Sequence, residues 1–100
     1  MDIQIYTTTG CFYCEKAKEL LDRAELEYNA VEVIPKTESF GPDNAPDNKM
    51  WKAEFSRKFP GVHGFPYVII DGKEIGGLQN TAKYLVDKGY GERLREHPNL

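Results

Sequence analysis

Cysteine is almost missing from this sequence of 100 residues: there are two, Cys11 and Cys14. So few exclude a disulfide-stapled secreted miniprotein and make a reducing cytosol the expected compartment. Long apolar runs are missing too; none approaches the roughly 18–20 residues that a membrane-spanning helix needs. The start, Met1-Asp2-Ile3-Gln4, lacks the basic residues and apolar stretch of a secretory signal. Positive charge is not in excess. Lys and Arg number 13 against 16 Asp and Glu, a net charge of −3, which argues against a nucleic-acid backbone as partner. There are no repeats and no low-complexity tracts. What remains is ordinary composition, 40% hydrophobic and 29% charged, with length for one modest core. One domain over residues 1–100 is expected, with a tail from about residue 91.

The order of elements follows from periodicity. Residues 3–7 alternate as a short strand does, and Thr8-Thr9-Gly10 makes a turn. From Phe12 to Ala24 the spacing is helical, with Cys14, Ala17, Leu21 and Ala24 on one face and Leu20 widening it. Tyr28–Ile34 is a second strand that ends at Pro35, completing a βαβ unit expected to be parallel and right-handed. Pro35, Gly41, Pro42 and Pro46 mark residues 35–48 as a long loop. Met50, Trp51, Phe55 and Phe59 then give helical spacing, stopped by Pro60-Gly61. Tyr67–Ile70 is an apolar strand, Asp71-Gly72 a hairpin turn, and Lys73–Ile75 the returning strand. After Gly76-Gly77 a last helix carries Leu78, Ala82, Leu85 and Val86 on one face, with Gly89 near its end. The order βαβ-α-ββ-α predicts an α/β fold: a four-stranded mixed sheet with three main helices.

The chemistry centres on Gly10-Cys11-Phe12-Tyr13-Cys14, which lies where the first strand meets the first helix. Cys11 precedes the first helical turn, where unpaired amides and the positive dipole end favour an anion. Its thiol should therefore ionise below the free value of about 8.5 and attack as thiolate. Cys14 lies one turn further in, on the core face, placed to resolve a mixed disulfide from within. The bland alternative is two small buried apolar residues. Gly76-Gly77 ahead of a helix lets a ligand approach backbone, and a helix amino terminus suits a carboxylate, although that motif alone is usually a turn.

Three motifs in this order, Tyr6-Thr7-Thr8-Thr9-Gly10-Cys11-Phe12-Tyr13-Cys14, Gly64-Phe65-Pro66-Tyr67-Val68-Ile69-Ile70-Asp71-Gly72 and Ile75-Gly76-Gly77, resemble a dithiol glutaredoxin of the thioredoxin superfamily. The likeness runs from about residue 3 to 88, and the long segment at 35–48 resembles phage-type members. The resemblance implies a thioredoxin-like fold and a glutathione-dependent thiol–disulfide oxidoreductase that reduces protein disulfides and glutathione mixed disulfides. It implies catalytic Cys11 and Cys14, a cis bond before Pro66, and glutathione contacts at Tyr13, Phe65, Pro66, Gly77, Leu78 and Gln79, with Thr8 and Asn80 as further candidates.

Glutathione is then a co-substrate, with no metal expected. The implied setting is a cytoplasmic monomer, in the host cytoplasm if phage-encoded, acting on disulfide proteins such as ribonucleotide reductase. No nucleic acid or membrane partner is implied.

Several positions depart from the family's pattern. Thr8 stands where a Lys is usual, and Gln79 and Asn80 stand where acidic residues are common, which points to a weaker hold on glutathione or a preference for protein disulfides. Lys52, Arg57 and Lys58 read as solvated charges. Phe12 replaces the usual proline, which should alter the reduction potential and leaves open a glutathione-ligated [2Fe–2S] carrier. A thioredoxin-like protein-disulfide reductase and a non-enzymatic binding module would also fit these residues. His63 and His97 add little, since structural zinc sites take four ligands.

Overall fold

A computed structural model describes residues 1–34 and 49–91. The expected loop at 35–48, the phage-type likeness that rests on it, and the tail from 92 onward lie outside the described residues. Strand β1 (Ile3–Thr7) leads into helix α1 (Phe12–Arg23), which is followed by β2 (Asn29–Ile34), β3 (Lys49–Trp51) and α2 (Lys52–Lys58). A hairpin of β4 (Tyr67–Ile70) and β5 (Lys73–Gly76) precedes α3 (Leu78–Leu85), which runs on into a looser π-type turn, Val86–Tyr90.

Among the described residues the sheet has five strands rather than the expected four, in the order β3-β2-β1-β4-β5. Parallel pairing joins β1 to β2 and β2 to β3, while β4 runs antiparallel to both β1 and β5. The extra strand, β3, is made of residues whose spacing places them in the second helix. Met50 and Trp51 instead pair with Val33 and Ile34, and α2 begins only at Lys52.

Alternation along the strands divides the core between the two faces. Ile3 and Ile5 of β1 and Val68 and Ile70 of β4 meet Ala17, Leu20 and Leu21 of α1 and Leu85 of α3. On the other face Tyr6, Val33 and Tyr67 meet Phe55 and Phe59 from α2 and the residue after it. Full burial of side chains such as Leu20, Leu21 and Phe55 stabilises the fold by about 1.5–3 kcal/mol apiece relative to exposure.

Helix α1 closes through a Schellman arrangement: the Leu26 amide donates to the Leu21 carbonyl and the Glu25 amide to that of Asp22. Glu25, at φ 59°, occupies the left-handed position where glycine is usual. At the hairpin tip Asp71 and Gly72 both have positive φ, 51° and 80°, the pattern a two-residue hairpin of this type demands. The Asp2 amide donates to the Asp71 carboxylate and the Asp71 amide to the Asp2 carbonyl, both at 2.7 Å, which ties the amino terminus to that turn.

Candidate active site

β1 delivers the chain to the loop Thr8-Thr9-Gly10 at the amino end of α1, and side chains from the loop anchor it to β2. The Thr8 hydroxyl donates to the Val33 carbonyl at 3.3 Å, and the Thr9 hydroxyl to the Glu32 carboxylate at 2.7 Å. The other Glu32 oxygen accepts from the Lys49 ammonium on β3 at 2.8 Å. Lys49, and then Thr9, hold the Glu32 carboxyl below its ordinary range by hydrogen-bonding its charged form. The position of Cys11 is thus tied through one carboxylate to the third strand.

Cys11 is the N-cap of α1, in extended conformation at φ −92° and ψ 108°. Its sulfur accepts a hydrogen bond from the Cys14 amide at 3.1 Å, the interaction a Ser or Asp side chain makes at most helix starts. In the reduced protein the same amide and the dipole end favour a thiolate. The two sulfurs are joined as a disulfide, with Cα atoms 5.2 Å apart, within the usual range for such bonds. Cys11 is partly exposed, whereas Cys14 is only 1% exposed and packs on the core side.

Cys11 Sγ also lies 3.8 Å from the Phe65 carbonyl oxygen. The Phe65–Pro66 bond is cis. Phe65 and Pro66 form one wall of a cleft of about 400 Å³, with Tyr13 from α1 and Gly77, Leu78, Gln79 and Asn80 from the start of α3. Gly77 caps α3 without a side chain, and its carbonyl accepts from both the amide and the hydroxyl of Thr81. Asn80 is engaged at its amide nitrogen, which donates to the Ile75 carbonyl at 3.2 Å. The wall is braced from behind by aromatic rings: Phe65 packs on Phe55 with centroids 5.1 Å apart, and Phe55 in turn on Tyr6, Phe59 and Tyr67. Burial, reinforced by the Glu74 carboxylate that accepts from its hydroxyl, pushes the Tyr67 phenol up to about 12.

The structure therefore gathers Tyr13, Phe65, Pro66, Gly77, Leu78, Gln79 and Asn80 around one cleft, with Cys11 in contact with its wall. Thr8 does not line it, nor do Lys52, Arg57 and Lys58, which are exposed on α2. His63 does not line it either, and His97 lies outside the described residues. Among the described residues no group of three or more His, Cys, Asp and Glu stands together as a metal site would. Lys49 and Glu32 carry no mark of their role in the sequence. Their pairing depends on the register of β2 with β3, and no periodicity signals that strand.

The family model described as Glutaredoxin matches residues 3–75. Glutaredoxin 1 of Rickettsia bellii is 36% identical over 86 residues, which cover 86% of this chain and 76% of that protein. Glutaredoxin 1 of Rickettsia prowazekii is 33% identical over 95 residues, 95% of this chain and 87% of that one. The solution structure of glutaredoxin from Brucella melitensis superposes with a TM-score of 0.56 at 31% identity, covering 94% of this chain and 87% of its own. The structure of Escherichia coli glutaredoxin shares the fold, with a TM-score of 0.58 at 21% identity and 89% and 98% coverage.

Proposed function

Since the chain belongs to the glutaredoxin family of thiol–disulfide oxidoreductases, we propose that it uses glutathione to reduce protein disulfides and glutathione mixed disulfides through Cys11 and Cys14. The observation that carries this reading is the asymmetry of the pair. Cys11 is partly exposed and capped by an α1 amide, whereas Cys14 is buried one turn further in. The Cys11 thiolate attacks a substrate disulfide, a Cys11–substrate disulfide forms, and the displaced sulfur leaves as thiolate. Cys14 then attacks Cys11 Sγ and expels the second substrate sulfur. Two glutathiones reduce the resulting Cys11–Cys14 disulfide and are themselves oxidised to glutathione disulfide. With a glutathione adduct on Cys11, one free glutathione suffices.

The cleft supports glutathione as the reductant. Its volume falls within the usual range for small-molecule sites, and the α3 amino terminus that lines it suits a carboxylate. In this reading Tyr13, Phe65, Pro66, Gly77, Leu78 and Gln79 hold glutathione, Asn80 supports the wall, and Thr8 anchors the loop rather than the ligand. The protein works as a monomer in the cytoplasm, on disulfide-bearing acceptors of which ribonucleotide reductase is the one the family implies. Two cysteines in the whole sequence are consistent with a reducing compartment.

The test is turnover of a mixed disulfide between glutathione and a small thiol, with glutathione and its reductase. Cys11→Ser should abolish turnover and Cys14→Ser should keep it. Activity that survives Cys11→Ser contradicts the assignment.

A further inference from the structure

Packing does not hold the stretch that carries the chain into Cys11. Thr9 and Gly10 are exposed, and a Cβ built at Gly10, whose φ is +72°, would meet nothing within 4 Å. Among the described residues no turn or loop backbone hydrogen bond involves Thr9 or Gly10. What fixes this stretch is its pair of hydroxyl bonds to β2, and the two are unequal. Thr8 reaches the Val33 carbonyl at 3.3 Å, whereas Thr9 reaches the Glu32 carboxylate at 2.7 Å. The acceptor of the shorter bond is itself fixed. Thr7, Glu32 and Lys49 stand in one row across β1, β2 and β3, and the Lys49 ammonium donates to the second Glu32 oxygen at 2.8 Å. The Lys49 and Glu32 side chains are only 29% and 31% exposed, so salt screens this pair less than a surface one.

We infer that Glu32 is a positioning residue for the nucleophile: through Thr9 it holds Cys11 at the N-cap of α1, where the thiolate is stabilised. This rests on the proposed thiol–disulfide chemistry and extends it to a side chain that lies outside the cleft. The stabilising donor is the Cys14 amide, 3.1 Å from the Cys11 sulfur, and a hydrogen bond weakens steeply as its angle is lost. Between the Thr9 anchor and Cys11 stands only Gly10, the residue type with the most backbone freedom. With the anchor cut, rotation at Gly10 lets the sulfur drift from that amide. The thiol then ionises closer to the free value of about 8.5.

Position and charge pull the Cys11 pKa in opposite directions. A carboxylate near a thiol disfavours the thiolate by like-charge repulsion, so Glu32 acting through its charge would raise the Cys11 pKa and its removal would lower it. Glu32 acting as an anchor does the reverse. Its charge is met on two sides. Hydrogen bonds from Lys49 and then Thr9 keep the carboxyl ionised, and Lys18 of α1, whose ammonium also meets Glu15 at 3.5 Å, adds positive charge at longer range. What Glu32 gives the loop is therefore a fixed acceptor rather than a bare negative field.

The test is the rate of Cys11 alkylation by iodoacetamide against pH, in the reduced Cys14→Ser protein, which keeps one thiol and the same backbone amide. It is repeated with Thr9→Val, Thr9→Ser, Glu32→Ala and the combination of Thr9→Val with Glu32→Ala. Thr9→Val and Glu32→Ala should each raise the Cys11 pKa and slow alkylation about three- to tenfold at pH values below the titration, the range that loss of an N-cap hydrogen bond spans. Once Cys11 is fully ionised the rates should converge. Thr9→Ser keeps the hydroxyl and should titrate as the parent does. The combined variant should be no worse than either single one, because both cut the same link. An unchanged pKa in Thr9→Val and Glu32→Ala would reduce the anchor to a structural bond. A lower pKa in Glu32→Ala would make charge the cause, and additive effects in the combined variant would make the two residues independent; each of these results overturns the positioning role. A Cys14→Ser parent that titrates at or above the ~8.5 of a free thiol would overturn the proposed thiolate chemistry and this inference together.

Discussion

Replacing Gly76 with alanine should weaken both the fold and the cleft, by an amount the geometry allows to be divided. Gly76 ends β5 at φ 111°, a conformation that residues with a Cβ rarely adopt and that costs of order 1–3 kcal/mol when enforced. A Cβ built there would also stand 2.8 Å from the Asn80 amide nitrogen, closer than real contacts allow. Asn80 can swing away, but only by giving up its hydrogen bond to the Ile75 carbonyl, worth about 0.5–1.5 kcal/mol. Gly76→Ala should therefore cost roughly 2–4 kcal/mol in urea unfolding, with an unchanged denaturant slope. Asn80 lines the cleft, so the KM for glutathione should rise as well. In an Asn80→Ala background the clash disappears, because the Asn80 Cβ would be 3.8 Å away, an ordinary contact. The penalty of Gly76→Ala should then fall to the backbone share alone. A cost below about 0.5 kcal/mol in wild type, the level of a neutral surface change, would mean that neither the backbone at Gly76 nor the Asn80 contact constrains this turn.

Other consequences follow from the packing and the titrating groups. Phe55→Ala removes the ring that touches Tyr6, Phe59, Phe65 and Tyr67, and should cost about 3–5 kcal/mol by thermal or urea unfolding; a loss below about 1 kcal/mol would show that the aromatic cluster is not cohesive. The Glu32 carboxyl is depressed in the folded protein, so its contribution is complete above its unfolded value of about 4.3 and is lost as pH falls through the lower folded value. The stability difference between wild type and Glu32→Gln should be flat at neutral pH and shrink below that point; a difference that is the same at pH 7 and pH 3 would contradict the Lys49–Glu32–Thr9 network. The Tyr67 phenol is raised to about 12 from 10.0, so the unfolded chain releases its proton first and stability should fall as pH rises between these values. Tyr67→Phe should remove that part of the alkaline loss, read by unfolding at pH 9 and pH 11.5.

Much of this architecture is legible in the sequence because its strongest signals are local. Spacing alone marks the helical face of Cys14, Ala17, Leu20, Leu21 and Ala24, and all five are buried. Asp71-Gly72 announces its hairpin because few other pairs adopt positive φ at both positions. The fifth strand is not legible. Met50 and Trp51 stand five and four residues before Phe55, a spacing that fits a helix, and a three-residue edge strand has too few positions to show alternation. With β3 hidden, Lys49 is hidden too, since its meeting with Glu32 is a cross-strand event that no local pattern encodes. The reverse holds at the cleft. Tyr13, Phe65–Pro66 and Gly77–Asn80 come from three distant segments, and what links them in the sequence is resemblance to a family rather than any periodicity. Thr8 illustrates the limit of that likeness: it occupies a familiar position, yet its hydroxyl is turned to the Val33 carbonyl.

The most direct measurement is a trapping experiment on the reduced Cys14→Ser protein exposed to glutathione disulfide, read by intact mass and peptide mapping. One glutathione per chain is expected, on Cys11, formed with an apparent pKa below the ~8.5 of a free thiol and released by added glutathione. An unmodified Cys11, or a Cys11→Ser protein that takes up glutathione on the buried Cys14 equally fast, would contradict it.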